Sequence, residues 1–148
     1  MLLIGIYTGT RPGAMLDLRW VASSEGGWFD LESQTLHRKG IGRRETKKRQ
    51  PQARIHARLL PHLRRWHEKD MKKGITHAIH FRGRAIEDVR KAWATVAIRA
   101  GQAVQKKDGT WGIPDGPHIC RHTAATWQMQ SGTDPYEAAG YLGMSVET

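Results

Sequence analysis

Residues 116–145 read GPHICRHTAATWQMQSGTDPYEAAGYLGMS, and His118, Arg121 and His122 fall close to a single helical turn of it. Side chains three apart share a helix face, so His118 and Arg121 are expected to project together from the exposed start of a helix. Unpaired N–H groups at a helix start already favour an anion. A guanidinium adds a planar, permanently charged fork that matches phosphate oxygens, and an imidazole can pass a proton or donate a hydrogen bond. These residue types at this spacing predict phosphoryl chemistry. Histidines four apart also suit zinc, but Ile119 stands where H-E-x-x-H needs its glutamate and the Arg121 charge repels a cation, so no metal is expected.

Two further stretches carry charge suited to the same chemistry. Arg11 follows Thr8-Gly9-Thr10 and precedes Pro12, at the boundary between a loop and a helix start, where it could face a ligand. Residues 38–54, RKGIGRRETKKRQPQAR, hold eight Lys/Arg and one Glu, so the stretch reads as a phosphate-tracking hairpin rather than only a solvated loop. Arg43, Arg44, Lys47, Lys48 and Arg49 are its candidate contacts.

Around these groups the pattern predicts an α+β chain, mostly helical, with a small antiparallel sheet near the N-terminal third. Residues 1–7 read as the end of a helix stopped at Gly9, and a second helix starts at Arg11-Pro12 with Met15, Leu16, Leu18 and Trp20 as packing positions. Trp28-Phe29-Asp30 and residues 34–37 read as short strands, with Gln50-Pro51 at an edge strand or turn. Leu59, Leu60, Leu63 and Trp66 give residues 56–73 a helical period. A strand-like piece follows at 78–81, then a turn at Gly83 and a helix over 86–100 whose apolar face is Val89, Trp93, Val96 and Ile98. Residues 102–116 read as a polar connector.

At 148 residues this is one domain with a formal net charge of +10 and a pI near 10.3, the footprint of a polyanion binder, most often nucleic acid. The single cysteine, Cys120, permits no internal disulfide, fits a reducing cytoplasm and reads as a core thiol. No stretch approaches membrane-spanning length and no signal peptide is expected.

In order along the chain stand Thr8-Gly9-Thr10-Arg11 with Leu18-Arg19-Trp20, then Thr46-Lys47, then His118-Ile119-Cys120-Arg121-His122, then Leu142-Gly143-Met144-Ser145. This order and spacing resemble the catalytic domain of the tyrosine recombinases, the phage-integrase family. The resemblance implies double-stranded DNA as partner, DNA integration and recombination through a 3′-phosphotyrosyl link, and no cofactor. It implies that Arg11 and Arg121 hold the phosphate oxygens, that His118 assists with proton transfer or a hydrogen bond, that Lys47 protonates the leaving 5′-oxygen with Lys48 as the adjacent alternative, and that His122 supports.

Two positions depart from the family pattern. Met144 stands where the family has His or Trp, and Ala14 stands where it often has Glu. The resemblance places the nucleophilic tyrosine about nine residues past Met144, by motif spacing. Tyr7, Tyr136 and Tyr141 all lie elsewhere, so the expectation is a catalytic domain truncated at both ends, without the N-terminal core-binding domain or the nucleophile segment. A full-length form is expected to act as a tetramer on DNA, and these residues alone as a monomer. The competing expectation is a DNA-binding remnant or regulator without strand chemistry. A helix-turn-helix across 123–144 is disfavoured, since Tyr136, Glu137, Ala138 and Ala139 offer no basic side chain to the major groove.

Overall fold

The computed structural model describes residues 1–46 and 49–145. The apolar opening forms helix α1 (Leu2–Thr8), which stops at Gly9 in the left-handed conformation, φ 61°, with its N–H donating to the Gly5 carbonyl at 2.8 Å. Thr10 and Arg11 lead into α2 (Pro12–Leu16), where Arg11 is the extended N-cap and Pro12 takes the first helical position. Strands β1 (Trp28–Asp30), β2 (Thr35–His37) and β3 (Ala53–Arg54) form an antiparallel sheet in that order. Phe29 pairs with Leu36 and Leu36 with Ala53, and all three are buried, so one face of the sheet is core. The basic run 38–52 is the long connection between β2 and β3.

Helix α3 (Leu60–Met71) closes that core with Leu60 and Leu63, joined by Leu59 just before it, against Ile4, Met15, Leu18 and Ile55. Trp20 packs on Phe29 at 5.6 Å between ring centroids and donates from Nε1 to Asp70 Oδ2 at 2.9 Å. His80 Nε2 meets the same oxygen at 3.1 Å, which ties the hairpin of β4 (His80–Phe81) and β5 (Arg84–Ala85) to the end of α3. Helix α5 (Ile119–Gln130) lies against α1, and a Cβ added to Gly5 would stand 2.8 Å from the Cys120 Cβ. Cys120 is buried at this crossing, and burial pushes its thiol pKa up. A turn at 131–134 leads to α6 (Pro135–Leu142).

Two stretches differ from the sequence expectation. Helix α4 is shorter, Arg90–Arg99, because the Asp88 carboxylate accepts the Arg90 N–H at 2.8 Å and turns the chain there. Its apolar residues do not enter the core: Val96 is 60% exposed and Ile98 54% exposed. Ile86 and Val89, before the helix, pack against the edge of the core and, with Trp93, Val96, Ile113 and Ile119, line an open apolar groove. The connector 102–116 contains a hairpin of β6 (Val104–Gln105) and β7 (Trp111–Gly112). Asp108-Gly109 makes its turn, with Gly109 at φ 81° and the Asp108 carboxylate accepting from the Thr110 N–H and hydroxyl. That dipeptide is a hairpin signal readable in the sequence.

Candidate functional site

Helix α6 begins with Asp134 accepting the Tyr136 and Glu137 N–H groups and Pro135 in the first turn. It ends at Gly143, φ 66°, with Gly143 N–H donating to Gly140 O at 3.2 Å and Met144 N–H to Ala139 O at 2.8 Å. This paired closure leaves the carbonyls of Tyr141, Leu142 and Gly143 without helical donors. Each is taken by a different arginine. Arg38 Nη1 donates to Tyr141 O at 2.6 Å, Arg121 Nη2 to Leu142 O at 2.5 Å, and Arg11 Nη2 to Gly143 O at 3.2 Å. The negative end of the helix dipole therefore gathers guanidiniums from three distant parts of the chain.

Each arginine has a second anchor. Arg121 Nη1 reaches the Gly9 carbonyl at 2.7 Å, just where the left-handed turn ends α1. Arg11 Nη1 reaches the Arg49 carbonyl at 2.8 Å. That carbonyl lies against Gly143, where an added Cβ would stand 2.5 Å from Arg49 O and 2.8 Å from Pro51 Cδ. Glycine at 143 thus serves both the backbone twist and the close approach of 49–51. Arg38 also binds Pro51 O at 3.0 Å, Thr8 O at 2.5 Å and, through Nε, Thr10 Oγ1 at 3.1 Å. Thr8 and Thr10 are fully buried and joined hydroxyl to hydroxyl at 2.7 Å.

Arg38 is 4% exposed and Arg121 7% exposed, yet among the described residues no carboxylate pairs with either or with Arg11. Burial draws the Arg121 guanidinium down to about 10, and the charges of Arg11 and Arg38 add to this. Burial likewise draws Arg38 to about 10, opposed by Tyr141, whose ring lies 5.1 Å beneath it, and assisted by Arg11. Mutual repulsion without a counter-charge favours an arriving anion. These bonds use two of the five N–H donors on each of Arg11 and Arg121.

The structure brings Arg11 and Arg121 onto the adjacent carbonyls of Gly143 and Leu142. His118 is the exposed residue opening α5, and its carbonyl accepts the Arg121 N–H at 2.9 Å and the His122 N–H at 3.3 Å. The expected shared exposed face does not form, because the orphan carbonyls draw the Arg121 side chain inward while His118 stays at the surface. His122, Arg43, Arg44 and Arg49 are exposed, and Arg43 Nε donates to Ser24 O at 3.1 Å. Lys47 and Lys48 lie outside the described residues.

Two of the three tyrosines are engaged elsewhere, Tyr7 packing on His56 and Trp127 and Tyr141 donating to Arg54 O at 3.3 Å, while Tyr136 is 73% exposed. Sequence reasoning missed the role of Arg38, which it counted among the charges of the phosphate-tracking basic stretch. The signal in the sequence was strand alternation: Arg38 follows buried Leu36 by two and so belongs to the core side.

The fold is similar to the crystal structure of XerA recombinase, with a TM-score of 0.67 and 22% identity over 97% of this chain and 48% of that one. The chain thus spans about half the length of that recombinase. No protein-family model and no curated protein matches the sequence. At this identity the likeness establishes the fold alone, α+β and mostly helical.

Proposed function

We propose that this chain is the phosphodiester-binding part of a tyrosine-type DNA strand transferase. The observation that supports it best is the convergence of Arg11 and Arg121 on adjacent carbonyls, Gly143 and Leu142, with no carboxylate partner among the described residues. Two forked cations so placed suit the non-bridging oxygens of a backbone phosphate. Exposed His118, one turn before Arg121, supplies a hydrogen bond or a proton from the solvent side. The basic β2–β3 connection carries Lys47 as the donor to the leaving 5′-oxygen, with Lys48 beside it, while Arg43, Arg44 and Arg49 follow the duplex backbone. Integration or excision and a tetrameric assembly on DNA belong to the same proposal, as does a monomeric state for these residues alone.

A binding-only module is the second reading, and the placement of the tyrosines favours it for these 148 residues. Tyr7 and Tyr141 are committed to other partners, and Tyr136 is largely exposed to solvent. The test is a nicked duplex that traps covalent adducts. The chain is expected to bind it through Arg11 and Arg121 and to form no adduct. Supplying a tyrosine on an appended C-terminal segment is expected to produce a 3′-phosphotyrosyl adduct that Arg121→Ala abolishes. Binding without any adduct in every such extended form would leave the module reading standing. Binding that Arg11→Ala and Arg121→Ala leave unchanged would overturn both.

A further inference from the structure

We propose that Arg38 is a positioning residue that sets Arg11 and Arg121 in register for one phosphate, a role that rests on the phosphodiester site proposed above. Among the described residues, Arg38 is the one side chain hydrogen-bonded to all three segments that build the site. Through Thr8 O and Thr10 Oγ1 it holds the loop that presents Arg11. Through Pro51 O it holds the basic connection two residues from the Arg49 carbonyl that anchors Arg11. Through Tyr141 O it holds the end of α6 one residue before the carbonyl that anchors Arg121.

Chemistry explains why this residue is an arginine. Its bonds use four of its five N–H donors and run in three directions. A lysine has a single nitrogen and cannot span those acceptors at once. A neutral side chain would leave buried carbonyls unpaired. Arg38 is nearly fully buried and its donors are committed to protein, so it orients the phosphate-holding pair and does not itself grip the phosphate.

The test uses sulfate as the probe, with affinity measured by calorimetry on Arg38→Lys and Arg38→Gln at a temperature where circular dichroism shows each fully folded. Both are expected to bind sulfate at least tenfold more weakly than the unaltered chain. The Nη–H resonances of Arg11 and Arg121, resolved when held by carbonyls, are expected to broaden in both variants. Lysine binding sulfate like the unaltered chain would reduce Arg38 to a source of charge and overturn the proposal. Unchanged affinity with only a lower melting temperature would make Arg38 merely structural and also overturn it.

If either variant fails to fold, Thr10→Val carries the test, since it removes one acceptor between Arg38 and the Arg11 loop. Sulfate affinity is then expected to fall severalfold, and no change would overturn the role. Arg121→Ala in parallel separates the two failures. Should the unaltered chain and Arg121→Ala bind sulfate alike, the phosphate site itself is wrong, whatever Arg38 does.

Discussion

Arg121 Nη2 lies 2.5 Å from the Leu142 carbonyl, and its other terminal nitrogen lies 2.7 Å from the Gly9 carbonyl, 112 residues away in sequence. One guanidinium thus joins the end of the first helix to the end of the last. The same bonds that fold the chain hold its most anion-suited group in place. Substitutions here are therefore expected to change stability and binding together, whereas substitutions in other buried polar clusters should separate them.

Gly143→Ala tests the turn. A Cβ at φ 66° meets the Arg49 carbonyl at 2.5 Å, so neither the twist nor the space is available. The left-handed conformation alone costs about 1–2 kcal/mol. Urea unfolding is expected to show a loss of at least that size, and sulfate binding should weaken because the Arg49 carbonyl that anchors Arg11 must move.

Asp70→Asn supplies the contrast. The carboxylate accepts from Trp20 Nε1 and faces His80 Nε2, partners that it shares with none of the three arginines. Both partners meet one oxygen, so an amide oxygen in its place still accepts from both but carries no charge, and a charge-assisted hydrogen bond exceeds a neutral one by about 1 kcal/mol. Urea unfolding should register that loss while sulfate affinity, measured below the transition, stays within about twofold of the unaltered chain, because the arginine cluster keeps every one of its own partners.

The share of sulfate binding that Arg38 and Arg121 carry should depend on pH only at high pH. The folded-state guanidiniums of Arg38 and Arg121 titrate at about 10, below their unfolded range. Below pH 10 both are charged folded and unfolded, so their burial opposes folding by a constant amount. Above 10 the unfolded chain holds more protons than the folded one, and these two groups contribute a rise in stability with pH. Bound sulfate favours the charged forms. With His118 replaced by alanine, affinity should therefore be flat from neutral pH to about pH 9 and fall as pH rises through 10, with proton uptake on binding there, read by calorimetry in buffers of different ionisation heat.

DNA affinity should fall steeply with salt. Removing one phosphate-neutralising side chain makes the slope of log K against log salt shallower by about 0.9 on a duplex. Arg43→Ala, Arg44→Ala and Arg49→Ala are each expected to reduce the slope by up to that amount and to weaken all sequences alike. Fluorescence anisotropy from low to moderate salt checks this, and a slope unchanged by all three would remove the β2–β3 connection from the DNA interface.

Much of the architecture was legible because it rests on local patterning. The glycine after α1, the proline after Arg11, the spacing of Leu59, Leu60 and Leu63, and the Asp134-Pro135 start of α6 each specify a boundary or a face through backbone chemistry within a few residues. The face of α4 failed on the same terms. Val89, Trp93 and Val96 have a helical period, but whether a stripe is buried depends on what packs against it, and Val96 stays exposed among the described residues.

The sequence by itself determined that arginines and a histidine suited to phosphate occur near residues 11, 118 and 121, and that the chain is strongly basic. Only the tertiary structure decided that Arg121 turns inward, that His118 stays at the surface, and that Arg38 is buried among backbone carbonyls rather than solvated. The reason is physical. A helix end leaves carbonyls whose partners need not be nearby in the chain, and the nearest donors in space were arginines from three separate elements.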